Sequence, residues 1–242
     1  MNTLFKQSNT HEVILPLSLK KRLKILETFP KENRQKIDLY QFDLDKLKIH
    51  EKRYLDHIKL SISSYQRFNQ YIHPHHQYHY LLRSLLLKEL LSKYTHQERK
   101  NIGFKLNEYK KPFLDESYQL FFNMSYSEQA GLVGVSRLQD IGVDIERLKP
   151  LEDIPSLLDC FAWPKEKEWV LDASPLHRFY VLWTAKEALV KAMGTGFLNK
   201  FIPELEVLPY KTGDIYISAY KKYTIWTKPF NQPYMISYSY QT

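Results

Sequence analysis

Asp140-Ile141-Gly142-Val143-Asp144-Ile145-Glu146 is a strictly alternating stretch. In a β-strand successive side chains point to opposite faces, so Ile141, Val143 and Ile145 face a core together. Asp144 and Glu146 then stand side by side on the other face. Two readings of this pattern stand: an ordinary edge strand with solvated carboxylates, or a face built to present a carboxylate pair. About forty residues on, residues 176–193 predict a helix, with Phe179, Leu182, Leu189 and Met193 among its apolar positions and Gly194 and Gly196 ending it. On that helix Glu187 and Lys191 stand at i, i+4, either as a surface ion pair or as part of a site, with Lys186 and the aromatic Trp183 beside them.

Working outward, residues 37–45 partly alternate and predict a strand. Residues 76–94, with Leu81, Leu82, Leu85, Leu86 and Leu90 at helical spacing and no Gly or Pro, predict a long helix. Residues 118–126 and 131–136 predict two strands, and DIYISAY and YMISYSY in the tail predict more. Residues 18–28 predict a short helix stopped by Pro30. The order strand, helix, strands occurs twice, the second time from about residue 140. This points to an α+β protein of two similar α/β lobes, divided as an extension over 1–36, an N-terminal lobe over 37–139 and a C-terminal lobe over 140–242.

The 242 residues are 43% hydrophobic and 14% aromatic, a globular composition. The seven glycines form no phosphate-binding loop of the GxxxxGK[ST] or GxGxxG kind. A single cysteine, Cys160, excludes an internal disulfide and reads as a small buried residue beside Phe161. The sequence carries no convincing signal peptide and no run of 18 apolar residues, so the expectation is a cytoplasmic protein with no membrane partner. The net charge of +8 favours anionic partners.

Asp144, Glu146 and Glu187 together are suited to one hard divalent cation. Mg²⁺ takes oxygen ligands and shares its shell with substrate phosphates, and Lys186 and Lys191 would add positive charge for those phosphates. The chemistry this implies is phosphoryl transfer.

Gly142 to Glu146, followed by Trp183-Thr184-Ala185-Lys186-Glu187-Ala188-Leu189-Val190-Lys191, resembles the paired signature of the 4′-phosphopantetheinyl transferase superfamily, in its Sfp-type form. Phe122-Asn123-Met124-Ser125-Tyr126-Ser127 resembles the family segment just upstream, and Tyr109-Lys110-Lys111-Pro112 its Gly-Lys-Pro element. The resemblance is best over residues 105–200. It implies two lobes related by pseudo-twofold symmetry with the active site at the lobe interface, and Mg²⁺ and coenzyme A bound there. By motif position it implies Asp144, Glu146 and Glu187 as metal ligands, Glu187 and Lys191 as catalytic groups, and Lys186 and Lys191 beside the pyrophosphate. Lys111, Ser125 and Tyr126 fall at the nucleotide. The implied reaction moves phosphopantetheine from coenzyme A to a serine of an apo acyl or peptidyl carrier protein, by a monomer. Two departures stand out: the family's usual histidine is Tyr126 and its usual glycine is Lys110.

Three other readings remain open. His73-Pro74-His75-His76 with His79 places two imidazoles at i, i+4 and could bind a transition metal. The basic charge and many tyrosines would suit a nucleic-acid-binding module, although no binding motif of that kind is present. A family member that binds a carrier without catalysis is the third.

Overall fold

The computed structural model describes residues 37–45, 68–195 and 205–242, and the backbone of 24–29. Among these residues the fold is α+β, with two main antiparallel sheets and a long helix on each. The first sheet has the order β1-β2-β6-β5, from β1 (Lys24–Phe29), β2 (Ile37–Asp43), β5 (Phe121–Ser127) and β6 (Ala130–Ser136). The second has the order β7-β11-β10-β9-β8, from β7 (Ile141–Arg147), β8 (Tyr210–Thr212), β9 (Ile215–Tyr220), β10 (Tyr223–Phe230) and β11 (Tyr234–Gln241). A small hairpin of β3 (Lys105–Leu106) and β4 (Pro112–Phe113) stands apart.

Helix α1 (Pro74–Thr95) covers the outer face of the first sheet. Its buried Leu82, Leu86 and Leu90 pack with Phe42, Phe122, Val133 and Val135. Helix α4 (Pro175–Met193) covers the outer face of the second sheet with α2 (Ile154–Asp159) and α3 (Pro164–Asp172). There Val181, Leu182 and Leu189 pack with Ile225 and Met235. Between the sheets lies a third apolar layer: Ile37, Leu39 and Leu132 from one, Ile141, Val143, Ile145, Ile236 and Tyr238 from the other. The strand that opened the sequence reading is therefore buried on both faces, with its isoleucines and valine turned to the first sheet and Asp144 turned toward α4.

The close seating of α4 on β7 depends on Gly142. A Cβ there would lie 2.0 Å from the Ala188 carbonyl oxygen and 2.3 Å from the Ala192 nitrogen. Only glycine lets a strand and a helix backbone approach this closely. Gly194, at φ 71°, ends α4 in the left-handed conformation that a helix terminus favours. Gly196 lies outside the described residues, as does most of the N-terminal segment.

Two expectations are corrected. Lys24–Phe29 form a strand, not part of a helix over 18–28, and this strand pairs with β2 across a register shift between Ile25 and Glu27. Strand pairing has overridden local helix propensity, and the N-terminal segment supplies an edge of the first sheet. Cys160 is exposed, at the end of α2.

Candidate active site

β7, α4 and β5 meet at one point, and each brings polar side chains to it. From β7 come Asp144, 2% exposed, and Glu146. From α4 come Glu187 and Lys191, one turn apart, with Lys191 Nζ 3.8 Å from Glu187 Oε2. From β5 come Ser125 and Ser127. Asp144 Oδ1 accepts hydrogen bonds from Lys191 Nζ at 2.6 Å and from Ser125 Oγ at 2.8 Å, and Lys191 also donates to Ser125 Oγ at 3.0 Å. Ser127 Oγ donates to Glu146 Oε2 at 2.9 Å, and the Trp183 side chain is a second hydrogen-bond partner of Glu146.

The serines of β5 alternate with residues that face α1, and Asn123 extends their row. Asn123 Oδ1 accepts from Val143 N at 2.9 Å, and Ser127 Oγ accepts from Arg147 N at 3.1 Å. Two small polar side chains, Asn123 and Ser127, thus accept from the free edge of β7, which pairs on its other side with β11. Ser125 and Ser127 hold the two carboxylates of β7.

Crowding three carboxyl groups in a buried place has an electrostatic cost. Burial pushes Glu187 up to about 8; Lys191 opposes this, while Asp144 and Glu146 add to it. Burial, helped by Asp144, also raises Glu146 above the ordinary carboxylate range. Burial alone would lower Lys191, but Asp144, Glu187 and Glu146 outweigh it and hold the ammonium above its usual value. Asp144 Oδ2 is buried with no hydrogen-bond partner among the described residues. An orphaned carboxylate oxygen beside two strained carboxyl groups fits a hard divalent cation such as Mg²⁺, which needs oxygen donors and relieves their repulsion. Asp144, Glu146 and Glu187 are the residues that would hold it.

The remaining residues singled out by sequence lie elsewhere. Lys186 faces away from this cluster and is 1% exposed. Its Nζ donates to Glu166 Oε2 at 2.6 Å and to the Phe161 carbonyl at 2.8 Å. The expectation that Lys186 lies beside a pyrophosphate is therefore corrected: its ammonium is spent on a buried ion pair that fastens α3 to α4. Glu166, missed from sequence, also accepts from Val207 N and, at 2.7 Å, from Trp163 N.

Lys111 reaches the end of α4, with Nζ 2.7 Å from Asp140 Oδ1 and 3.5 Å from the Ala192 carbonyl. Its hairpin docks there through Asn107, whose Nδ2 donates to the Gly194 carbonyl at 2.8 Å. Lys110 has φ 64°, so a lysine holds the left-handed position that a glycine would fill without strain. Tyr126 lies on the α1 side of β5, 44% exposed, with the buried Arg83 guanidinium 3.5 Å from its ring centroid. Arg83 lies on α1, so this contact joins residues 43 apart in the chain.

Residues 140–238 match the family model described as the 4′-phosphopantetheinyl transferase superfamily. Over these residues the chain is similar to that superfamily. It is 30% identical over 154 residues to the 4′-phosphopantetheinyl transferase HetI of Nostoc sp. (strain PCC 7120), a span of 61% of this chain and 64% of that protein. It is 33% identical over 142 residues to the 4′-phosphopantetheinyl transferase gsp of Aneurinibacillus migulanus, covering 56% of this chain and 58% of the relative. Against the 4′-phosphopantetheinyl transferase Sfp of Bacillus subtilis (strain 168) identity is 25% over 139 residues, covering 54% and 58%. The chain thus spans about three fifths of the length of the curated phosphopantetheinyl transferases it matches. The superfamily match takes in β7 and α4, which carry all three carboxyl groups and Lys191; β5 lies upstream of it. No helix among the described residues is long and apolar enough to cross a membrane.

Proposed function

We propose that this protein transfers the 4′-phosphopantetheine group from coenzyme A to a serine hydroxyl of an apo acyl or peptidyl carrier protein, releasing adenosine 3′,5′-bisphosphate. The observation that carries the reading is that Asp144, Glu146, Glu187 and Lys191 are brought together by β7 and α4, with one buried carboxylate oxygen of Asp144 left without a hydrogen-bond partner among the described residues. On this reading the two sheets with their helices are two lobes related by pseudo-twofold symmetry. The site lies where they join, and the lobes divide near residue 140.

Mg²⁺ held by Asp144, Glu146 and Glu187 supplies charge neutralisation for the coenzyme A pyrophosphate when bound. Lys191, kept charged by its carboxylate neighbours and oriented by Ser125 and Asp144, adds a second positive charge beside the phosphoryl group. Glu187, ionised when the cation is bound, takes the proton of the carrier serine directly or through a water. The serine oxygen bonds to the β-phosphorus as the bond to the bridging oxygen of the leaving nucleotide breaks. Tyr126, with Arg83 stacked on it, and Lys111 supply the contacts to the nucleotide end. A tyrosine hydroxyl donates a hydrogen bond but brings no charge, and Arg83 restores the charge that the usual histidine would bring. Carrier proteins are acidic, so the +8 net charge favours their encounter with a cytoplasmic monomer.

The test is direct. The protein is incubated with coenzyme A, Mg²⁺ and a panel of apo carrier proteins, and each carrier is weighed by mass spectrometry. The expected result is a gain of one phosphopantetheine group that disappears with EDTA and falls by about 10²-fold or more in rate in Glu187→Ala. Failure to bind coenzyme A and to modify any carrier would overturn the proposal.

A further inference from the structure

A second group of ligand-type side chains lies outside the acidic site, on the first sheet and its helix. Asp45 follows the end of β2, and His75 and His79 sit in the first turns of α1. One donor atom from each can be chosen so that all three lie within 4.8 Å of one another. His79 Nε2 is 3.8 Å from Asp45 Oδ1, and the two imidazole rings are 3.9 Å apart between centroids. The histidine spacing makes this possible, because residues four apart on a helix stand one above the other. The carboxylate comes from thirty residues upstream, so the trio exists only in the folded chain.

The donor set is chemically distinct from that of the acidic site. Two imidazoles and a carboxylate suit Zn²⁺, which binds such trios tetrahedrally with a water in the fourth position. Mg²⁺ prefers oxygen donors alone, so the two kinds of ion sort between the two places. His73 and His76 flank the trio but stand outside it: the His76 ring is 5.8 Å from that of His75, and the His73 ring is a further 5.8 Å from His76.

We propose that Asp45, His75 and His79 bind a Zn²⁺ ion that ties the end of β2 to the first turns of α1. The ion braces the helix that, one turn beyond His79, carries Arg83 onto the Tyr126 ring. It takes no part in phosphoryl transfer.

The experiment uses the full chain without an affinity tag, stripped of metal and held in excess Mg²⁺ so that the acidic site is occupied. Zn²⁺ is titrated against a chromogenic chelator, and thermal unfolding is followed with and without Zn²⁺. The expected result is a single tightly held Zn²⁺ that raises the unfolding temperature. Asp45 and His75 are exposed, so Asp45→Asn and His75→Ala should fold normally. Each should weaken Zn²⁺ by at least about 10-fold, the loss that even an outer-shell partner brings, and lose the thermal shift. His73→Ala and Asp144→Asn should bind Zn²⁺ as the parent does. No Zn²⁺ binding by the parent, unchanged affinity in His75→Ala and Asp45→Asn, or loss of affinity in His73→Ala or Asp144→Asn instead would each overturn the assignment.

Discussion

Replacing Lys186 by methionine should damage the fold and leave the proposed coenzyme A binding intact. The side chain is buried, and its ammonium meets two acceptors, Glu166 Oε2 and the Phe161 carbonyl. Methionine fills most of the space but abandons both. Glu166, 0% exposed, keeps Val207 N and Trp163 N as donors but loses the only cation hydrogen-bonded to it among the described residues. Breaking one side of a buried ion pair costs about 3–5 kcal/mol, because the other charge stays in a low-dielectric place. For a chain of this size that is a drop of roughly 6–20 °C in unfolding temperature, at about 2–4 °C per kcal/mol. Urea unfolding of the metal-free protein measures the loss, and calorimetry with coenzyme A measures binding. Adding Glu166→Gln removes the stranded charge while keeping an acceptor, so the double variant should recover part of the loss, with a coupling energy of about 0.5–3 kcal/mol. A Lys186→Met protein that unfolds within about 0.5 kcal/mol of the parent, the scatter of an unremarkable surface change, but binds coenzyme A weakly would refute the reasoning and return Lys186 to the cofactor.

Three other perturbations test the site. Because burial raises the folded Glu187 to about 8 from its ordinary 4.5, the folded metal-free chain holds a proton there that the unfolded chain has lost. The stabilising contribution is complete below pH 4.5 and gone above about 8, with a slope of at most about 1.4 kcal/mol per pH unit between them. Glu187→Gln should flatten this part of the stability profile. Mg²⁺ needs the ionised carboxylate, so its apparent affinity should rise with pH up to about 8, with proton release detectable by calorimetry in buffers of different ionisation enthalpy. Gly142→Ala should lose about 1–3 kcal/mol or more, because the atoms its Cβ meets are helix backbone that cannot rotate aside. Any folded fraction should bind Mg²⁺ poorly, since Glu187 and Lys191 move with α4. Asn123→Ala should cost about 1–3 kcal/mol by leaving the Val143 N–H without its acceptor, an effect that denaturant unfolding resolves and that unchanged stability would contradict.

Much of this arrangement was legible in the sequence. Alternation through Ile141, Val143 and Ile145 told which face of β7 was apolar, and so placed Asp144 and Glu146 together. Four-residue spacing placed Glu187 under Lys191. Lys186 was read as a charge for substrate phosphates, from its type and then by motif position, when helix geometry already pointed elsewhere. It lies four residues after Leu182 and three before Leu189, on the buried stripe, and its partner Glu166 sits in a short helix twenty residues upstream. The signals for α2 and α3 were also present. Pro155 and Pro164 stand in the first turn of each helix, and Asp153 accepts a hydrogen bond from Ser156 N as a cap. The His75 and His79 pair was legible from its four-residue spacing, but strand β1 and the approach of Asp45 to that pair depend on contacts distant in sequence, which no local pattern encodes.

The row Asn123, Ser125 and Ser127 shows why the fold and the chemistry are hard to separate. Two sheet edges could have met through a backbone ladder, which would have occupied the N–H groups of β7 and left its carboxylates to find other partners. Here small polar side chains at every second position of β5 do both tasks. Asn123 and Ser127 accept from β7 backbone, while Ser125 and Ser127 donate to Asp144 and Glu146. Ser125 also accepts from Lys191 on α4. A shift of β5 against β7 therefore cannot occur without moving both carboxylates and the lysine. The distance between the two sheets is set by the same atoms that set the charge geometry of the site, and alanine at Ser127 should loosen the sheet joint and Glu146 together.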